Sequence, residues 1–445
     1  MKIKYKHTTI ICSFMNKFSC FVVSLSKFIC LFLFFLFGYS SIALSPDDLS
    51  LKSFGKHVDK YRDVKIIATL GKDGWLNIPS FCQHGANIFR INGSHIKSEK
   101  MLIEVLQKTK NAINNNSACK NVDIMYDTQG PEIRTRIIID EKSKTAIKGN
   151  VSYNIAENDF LVIHTNLADK EIIFKGDVKR SKNKSKTIHI GVNYKKFVDD
   201  VKIGSDITIE NRDIYAKVIG IDGEKQVVKL KITSINTDNH RYNLTDRRHI
   251  NLLGRAVNQA TFTKSDEKYI KISHSFGVKY YALSFVRDEN DIKHFYEIIK
   301  SSSEIDCEEC KKHIKQNDTK DVVVIAKIET RQGLDNLDEI VKNSSGAMVA
   351  RGDLSSEIPM EEVPYAKEKI INVCRKYNKL SILATNVLES YMRQNSSSVN
   401  DIDVVATSLQ LGVGGLMLSN ETAQGQRGIM AIDEFNRQIN YYRQH

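Results

Sequence analysis

Short, nearly unbroken apolar runs recur from residue 64 onward, separated by longer stretches whose apolar residues return every three or four positions. The runs are VKIIATL (64–70), ANIFRING (86–93), VDIMYDT (122–128), VKYYALSFV (278–286), VVVIAKIE (322–329), GAMVARGD (346–353), LSILAT (380–385) and GLMLSNE (415–421). Runs of this length with little polar alternation suit parallel strands buried on both faces. Between most of them lie amphipathic stretches such as EEVPYAKEKIINVCRKYNK (361–379), whose apolar side chains fall on one helical stripe. Eight buried strands alternating with helices predict an α/β fold, a (β/α)8 TIM barrel.

One gap breaks the rhythm. From about Ile137 to Arg248 the pattern becomes alternating, lysine-rich and punctuated by glycine, as in DFLVIHT, EIIFKGD, KTIHIGV and YAKVIGIDG. These segments read as antiparallel strands joined by turns, an all-β lid domain (137–248) inserted after barrel strand 3. The barrel is then expected over 64–136 and 249–437, with 438–445 as a C-terminal tail. An insertion at that point belongs above the barrel mouth, where a lid would sit.

The N-terminus follows neither pattern. A basic start precedes FSCFVVSLSKFICLFLFFLFG (18–38), and Ser41-Ile42-Ala43 offers a small-x-small cleavage site. Residues 1–43 therefore read as a secretory signal peptide, or as a signal anchor if uncleaved, since Phe18–Phe37 is long enough to span a bilayer. Residues 44–63 read as a linker or a short second targeting segment. The leader carries five lysines and no acid, so without it the net charge falls from +12 to +7. That surplus fits anionic substrates or simply a basic surface. No Lys/Arg block interleaved with aromatics stands out, which argues against nucleic-acid binding. Cys82, Cys119, Cys307, Cys310 and Cys374 lie beyond the leader, odd in number and scattered. They predict free thiols and a reducing organelle, with Cys307-x-x-Cys310 and nearby His313 resembling only half a zinc site.

Polar residues gather at the C-terminal ends of the apolar runs: Arg90 and Asn92, Asp127, Arg287, Lys327 and Glu329, Arg351 and Asp353, Thr385, Ser419 and Glu421. Lys327 and Glu329 are two apart on a strand and so share a face. A single such pair can be a structural ion pair. Six or seven polar strand ends on one barrel face exceed what packing requires, and that face carries the active site in barrels of this kind. Glu329 and Asp353 end adjacent strands and can reach one cation, with all-oxygen ligation suited to Mg2+ or Mn2+. Lys327 supplies a fixed charge for an oxyanion or a transferring phosphoryl group. Arg90 and the backbone amides near Gly352 add anion sites. Together they favour an anionic, phosphorylated carboxylate substrate.

The segment IAKIETRQGL (325–334) resembles the active-site signature of the pyruvate kinase family, and it does not stand alone. NIFRINGSH (87–95), MYDTQGPEIRT (125–135), INLLGRAV (250–257), ALSFVR (282–287), MVARGDLSSEIP (348–359), ILATNVLESY (382–391) and MLSNETAQG (417–425) are similar to further family segments, in order. The resemblance covers about Val64 to Arg437. It implies phosphoryl transfer from phosphoenolpyruvate to ADP, giving pyruvate and ATP, with Mg2+ (or Mn2+) and K+ as cofactors. It further implies that Lys327 stabilises the enolate and the phosphoryl group in flight, and that Glu329 and Asp353 hold the divalent metal. Arg90 would grip the substrate phosphate, while Gly352, Asp353 and Thr385 receive its carboxylate. Asn92, Ser94, Asp127 and Thr128 match the monovalent-cation site, with Glu132 the variant that accompanies potassium dependence. His95, Arg134 and Arg248 match the nucleotide side, Arg248 standing where the family usually has lysine.

The departures from the family pattern are specific. Ser355 replaces a glycine, Asn386 a glutamine and Asn420 a glycine; the family's proline- and arginine-bearing P-x-P-T-R-A-E loop reads NSSSVND (395–401). The lid's acidic V-D-D-G turn reads IENRD (209–213), which is expected to weaken closure over nucleotide. The sequence stops at His445, near the expected end of the barrel, so the family's C-terminal regulatory domain is expected to be absent, leaving a homodimer through the barrel as the expected assembly. Two alternatives accompany the leading reading: an impaired pyruvate kinase-like protein that binds without turnover, and a metal-dependent pyruvate-type aldolase or lyase on a related barrel. The leader points to secretory-pathway entry and a plastid-like organelle rather than the cytoplasm, with membrane attachment only if it stays uncleaved.

Overall fold

A computed structural model describes residues 64–140, 146–147, 152–166, 185–210, 212–253, 259–312, 321–394, 396–423 and 427–444. Every described residue lies in one compact unit, Val58–His445. The leader and the 44–63 linker therefore fall outside the described residues, as do His313, Asn395, Gly425 and Gly254–Val257 of the INLLGRAV segment.

All eight apolar runs form strands: β1 (Lys65–Thr69), β2 (Ile88–Asn92), β3 (Asp123–Asp127), β14 (Tyr280–Leu283), β15 (Val323–Ile328), β16 (Gly346–Ala350), β17 (Leu380–Ala384) and β18 (Gly415–Leu418). They close into a barrel in the order β1-β18-β17-β16-β15-β14-β3-β2, with parallel neighbours throughout. The fold is the expected (β/α)8 barrel. Its principal crossover helices are α1 (Ile78–Gln83), α2 (Glu99–Asn114), α3 (Lys264–Ser275), α4 (Glu289–Lys300), α5 (Leu337–Asn343), α6 (Val363–Lys376), α7 (Val399–Leu411) and α8 (Gly428–Gln444).

Strand alternation divides the barrel core into two layers. Ile67, Ile88, Met125, Ile325, Met348, Ile382 and Met417 fill the interior, while Ile66, Phe89, Ile124, Val324, Val349, Leu383 and Leu416 pack outward against the helices. This alternation aims the polar strand ends. Arg90 follows Ile88, Asp127 follows Met125, and Lys327 and Glu329 follow Ile325, so each lies on the inward-facing parity at the C-terminal mouth.

Between β3 and α3 the chain builds a separate β structure with its own apolar core, including Ile163, Ile190, Phe197, Ile209, Val228 and Ile232. Strands β4 (Thr135–Asp140), β5 (Ala146–Ile147), β7 (Phe160–His164), β8 (Thr187–Val192), β9 (Asp206–Ile209), β10 (Ile214–Asp222), β11 (Val227–Ile235) and β13 (Ile250–Leu252) form one sheet, and β6 (Tyr153–Ala156) pairs with β12 (Arg241–Leu244) in another. The pairings are antiparallel except β7 with β8, which run parallel. A parallel pair needs a long connection, and residues 165–186 supply its length.

The cysteines depart from expectation. Cys82 pairs with Cys119, Cα atoms 5.3 Å apart, and Cys307 pairs with Cys310, leaving only buried Cys374 as a free thiol among the described residues. The first bridge joins α1 to the turn Ser117–Cys119, which spacing could not reveal because β2 and α2 intervene. The thiol argument for a reducing compartment therefore falls, and the second bridge occupies both cysteines of the half-zinc motif.

Candidate active site

Lys327 anchors the barrel mouth. Its Nζ donates to Ser284 Oγ at 2.7 Å and lies 2.9 Å from Glu329 Oε1 and 3.1 Å from Asp127 Oδ1. Asp127 also takes Arg90 Nε at 2.7 Å, and Arg90 Nη1 donates to Thr69 Oγ1 at 3.1 Å. Both carboxylates are fully buried. Burial alone would raise the Asp127 pKa, but Lys327 and Arg90 outweigh it and hold the group below the usual aspartate range. Burial likewise opposes the Lys327 charge, and Asp127 and Glu329 overcome it, so the ammonium titrates above the ordinary lysine range.

Glu329 behaves differently. Burial lifts its pKa to about 8 against the pull of Lys327, and the Asp353 carboxylate beside it adds to the rise. Asp353, a third exposed at the rim, is raised too, first by desolvation. Two acids sharing a site cannot both ionise cheaply without a counter-cation. Glu329 Oε1 faces the Lys327 ammonium at 2.9 Å without an aligned hydrogen bond, and its Oε2 accepts the Phe285 N–H at 2.7 Å. The donor set therefore fits a hard divalent cation with open positions for substrate oxygens.

Backbone strain clusters around this centre. Phe285 sits at φ 55°, aiming its N–H at Glu329, and Gly130 at φ 71° packs so closely that a Cβ would meet Ser284 Cβ and Phe285 Cδ2 at 2.8 Å. Thr385 and Asn386 also occupy the left-handed region, at φ 71° and 52°. Arg351 holds that segment: Nη2 donates to Thr385 O at 2.5 Å and Asn386 O at 3.0 Å, and Nε to Ala384 O at 3.4 Å. At Gly352 a Cβ would come to 2.9 Å from Thr385 Cγ2, so a larger residue at the start of the Arg351–Glu357 helix would press on the Thr385 turn.

A cleft of about 1220 Å³ opens over these groups, lined by Arg90, Asn92, Ser94, His95, Glu132, Arg134, Lys327, Glu329 and Asp353 among others. Asn92 and Asp127 are register partners; Asn92 Oδ1 accepts the Ser94 N–H, and Thr128 Oγ1 accepts the Ser284 N–H. Asp127 Oδ1, fully buried, faces the Lys327 ammonium at 3.1 Å without an aligned hydrogen bond, so a carboxylate lone pair is still open to a monovalent cation. On the other wall Arg134 Nε donates to Glu132 Oε2 at 2.5 Å and Nη1 to Arg247 O at 2.8 Å. Arg248 instead turns to Glu210 and Thr245, and Arg247, Arg136 and Asn193 line the cleft. Those three, with Ser284 and Phe285, were not singled out from the sequence. Ser284 carried a readable signal, since it follows directly on the apolar run Tyr280–Leu283.

The departures in the loop after β17 have local compensations. Ser398 caps α7 in a reciprocal box with Asp401, whose carboxylate also accepts the Ser390 and Tyr391 N–H groups, while Ser397 Oγ donates to Glu434 at 2.6 Å. Ser355 Oγ folds back onto the Gly352 carbonyl at 2.7 Å.

A family model described as "Pyruvate kinase, barrel domain" matches residues 61–432. The chain belongs to the pyruvate kinase family. It is 31% identical over 378 residues to the pyruvate kinase of Thermotoga maritima, covering 83% of this chain and 69% of that one. It is 30% identical over 369 residues to plastidial pyruvate kinase 2 of Arabidopsis thaliana, covering 82% and 54%. A crystal structure of a pyruvate kinase from Cryptosporidium parvum aligns with TM-score 0.67 at 24% identity, covering 86% of this chain and 70% of that one, a likeness of fold. The chain spans from about half to about two thirds of the length of these pyruvate kinases.

Proposed function

We propose that the chain transfers the phosphoryl group of phosphoenolpyruvate to ADP, giving pyruvate and ATP. The observation that carries this reading is the Lys327 triangle: a buried ammonium held by Asp127, Glu329 and Ser284 beside Arg90, at the floor of an open cleft. In this reading Arg90 and Lys327 bind the phosphate, and Lys327 faces the enolate oxygen that develops as the phosphoryl group leaves. Gly352, Asp353 and Thr385 bound the carboxylate pocket, with Arg351 keeping the Thr385 turn in place. Glu329 and Asp353 would hold Mg2+ (or Mn2+), which when bound neutralises charge on the phosphoryl oxygens. Asn92, Ser94, Asp127 and Thr128 would hold K+, and His95 and Arg134 would form the nucleotide side, where Arg247 and not the expected Arg248 faces the cleft.

The test is a coupled assay for pyruvate on the chain lacking residues 1–43, with and without ADP, Mg2+ and K+. Pyruvate formed only with ADP and Mg2+ supports the reading. Pyruvate formed without ADP favours a lyase, and substrate binding without turnover favours a binding protein. We further propose secretory-pathway entry and a plastid-like destination, supported by the leader sequence and by likeness to plastidial pyruvate kinases. A fluorescent fusion of about the first 100 residues that stays cytosolic would refute it. Among the described residues no helix is long and apolar enough to cross a membrane. A homodimer through the barrel is tested by light scattering.

A further inference from the structure

The lid turn 209–213 carries two non-glycine residues in the left-handed region, Glu210 at φ 51° and Arg212 at φ 71°. An arginine in such a conformation is held there by its surroundings. The lid side of the restraint is plain: Asn236 Nδ2 donates to Arg212 O at 3.0 Å, and Glu210 takes Arg248 Nη1 at 3.0 Å and the His249 N–H at 3.4 Å. Glu210 and Arg212 are thus each tied to the lid.

The Arg212 side chain, however, leaves the lid. Arg212 Nη2 donates to the carbonyl of Ile358 at 2.5 Å. Ile358 is the C-cap of the barrel helix Arg351–Glu357, so its carbonyl is one of the terminal acceptors that the helix cannot satisfy internally. A guanidinium at that end is also favoured by the negative pole of the helix and by the nearby Glu357 charge. Two lid residues beside it reach the same helix: Asn251 Nδ2 donates to Glu357 Oε1 at 3.4 Å, and His249 Nδ1 lies 3.8 Å from Asp353 Oδ1. The helix that the lid grips is the one carrying Asp353 in its first turn.

We propose that Arg212 is a positioning residue, a latch that fastens the lid to the C-terminal end of the Asp353 helix and so sets lid closure and the placement of Asp353 together. The acidic turn expected from the family pattern gains an arginine here, with a barrel partner of its own. The inference extends the phosphoryl-transfer reading to this chain's lid and rests on it for its kinetic consequences, though not for the contact.

Arg212→Gly is the informative variant, because glycine adopts φ 71° freely and the turn keeps its shape while the guanidinium is lost. Hydrogen exchange on the ligand-free protein should quicken roughly tenfold or more at amides 353–358 and 212–214, the change expected from one charge-assisted hydrogen bond. Exchange in β10 and β11 should stay unchanged, and Arg212→Lys should restore part of the protection. In steady-state kinetics the KM for ADP should rise by a similar factor while the KM for phosphoenolpyruvate moves much less. Unchanged exchange at 353–358 in Arg212→Gly overturns the latch, whatever the activity. If the parent protein forms no pyruvate, the reaction assignment fails, and the exchange data still decide the contact.

Discussion

Replacing Lys327 with methionine removes the one ammonium shared by two fully buried carboxylates. Asp127 keeps Arg90 at 2.7 Å, but Glu329 is left with a single backbone N–H. At an effective dielectric of about 20, each ion pair near 3 Å is worth about 5 kcal/mol, and the desolvation no longer spent on the ammonium offsets a good part of that. A net destabilisation of about 3–5 kcal/mol at pH 8 follows, the range for breaking a buried pair from one side. Its pH dependence has a definite sign. Without Lys327 the folded-state pKa of Asp127 moves upward, so folding takes up a proton and stability falls as pH rises above the unfolded carboxylate value. Glu329, already raised to about 8 in the parent, gives both proteins the same slope below pH 8. In the parent, Asp127 is held below its ordinary value and contributes stability that is present above about pH 4. The gap between parent and variant should therefore widen from pH 5 to pH 8. Urea unfolding followed by far-ultraviolet circular dichroism at the two pH values measures it. The pyruvate assay should show a kcat loss of roughly a thousandfold or more, as when a charge-stabilising donor is removed. An equal stability loss at both pH values, or more than a tenth of the parent kcat, would refute the reasoning.

Further outcomes follow from the same geometry. Magnesium affinity should rise about tenfold per pH unit up to about pH 8 and then level off, because Glu329, raised to about 8 beside Asp353, must lose its proton to bind metal; calorimetry in two buffers detects the released proton, and pH-independent affinity would contradict the pairing. Arg351→Ala should lower stability by roughly 2–3 kcal/mol and weaken phosphoenolpyruvate binding, since three carbonyls and two left-handed residues lose their tether; Arg351→Lys should rescue poorly, and full rescue would count against the tether. Burial raises the Glu357 pKa to about 7, so its contribution to stability falls as pH rises from about 4.5 to 7. Glu357→Gln should therefore gain on the order of 1–3 kcal/mol over the parent at pH 8 and little at pH 4, read from unfolding midpoints. Replacing Cys82 and Cys119 by serine should cost about 4 kcal/mol, from a loop closed across a sequence separation of 37 residues; an unchanged melting temperature would show the bridge is not formed.

The barrel was readable because its information is local. Eight apolar runs with little polar alternation can be buried only on both faces, and the two-residue period already places Lys327 and Glu329 on the inward side of β15. The family signature segments are also contiguous in the chain, so Arg90, Asp127, Lys327, Glu329, Asp353 and Thr385 could be named before any coordinates. What they touch was not readable. Asp127 as the common partner of Arg90 and Lys327 depends on strand register, and Ser284 and Phe285 enter the site through the close approach of Gly130. The turn of Arg248 away from the cleft, with Arg247 facing it, is a matter of local lid geometry that no residue count reveals.

The cysteines and the lid turn mark the boundary most clearly. Five scattered thiols carry no pairing information along the chain, yet α1 and the turn before β3 bring Cys82 and Cys119 within bonding distance. IENRD reads from sequence as a weakened version of an acidic turn, whereas in space Arg212 finds the end of a helix 146 residues away. Periodicity encodes which face of an element is buried, a property of neighbours in the chain. Partners across such separations are set by how whole elements pack, and that depends on every intervening residue at once.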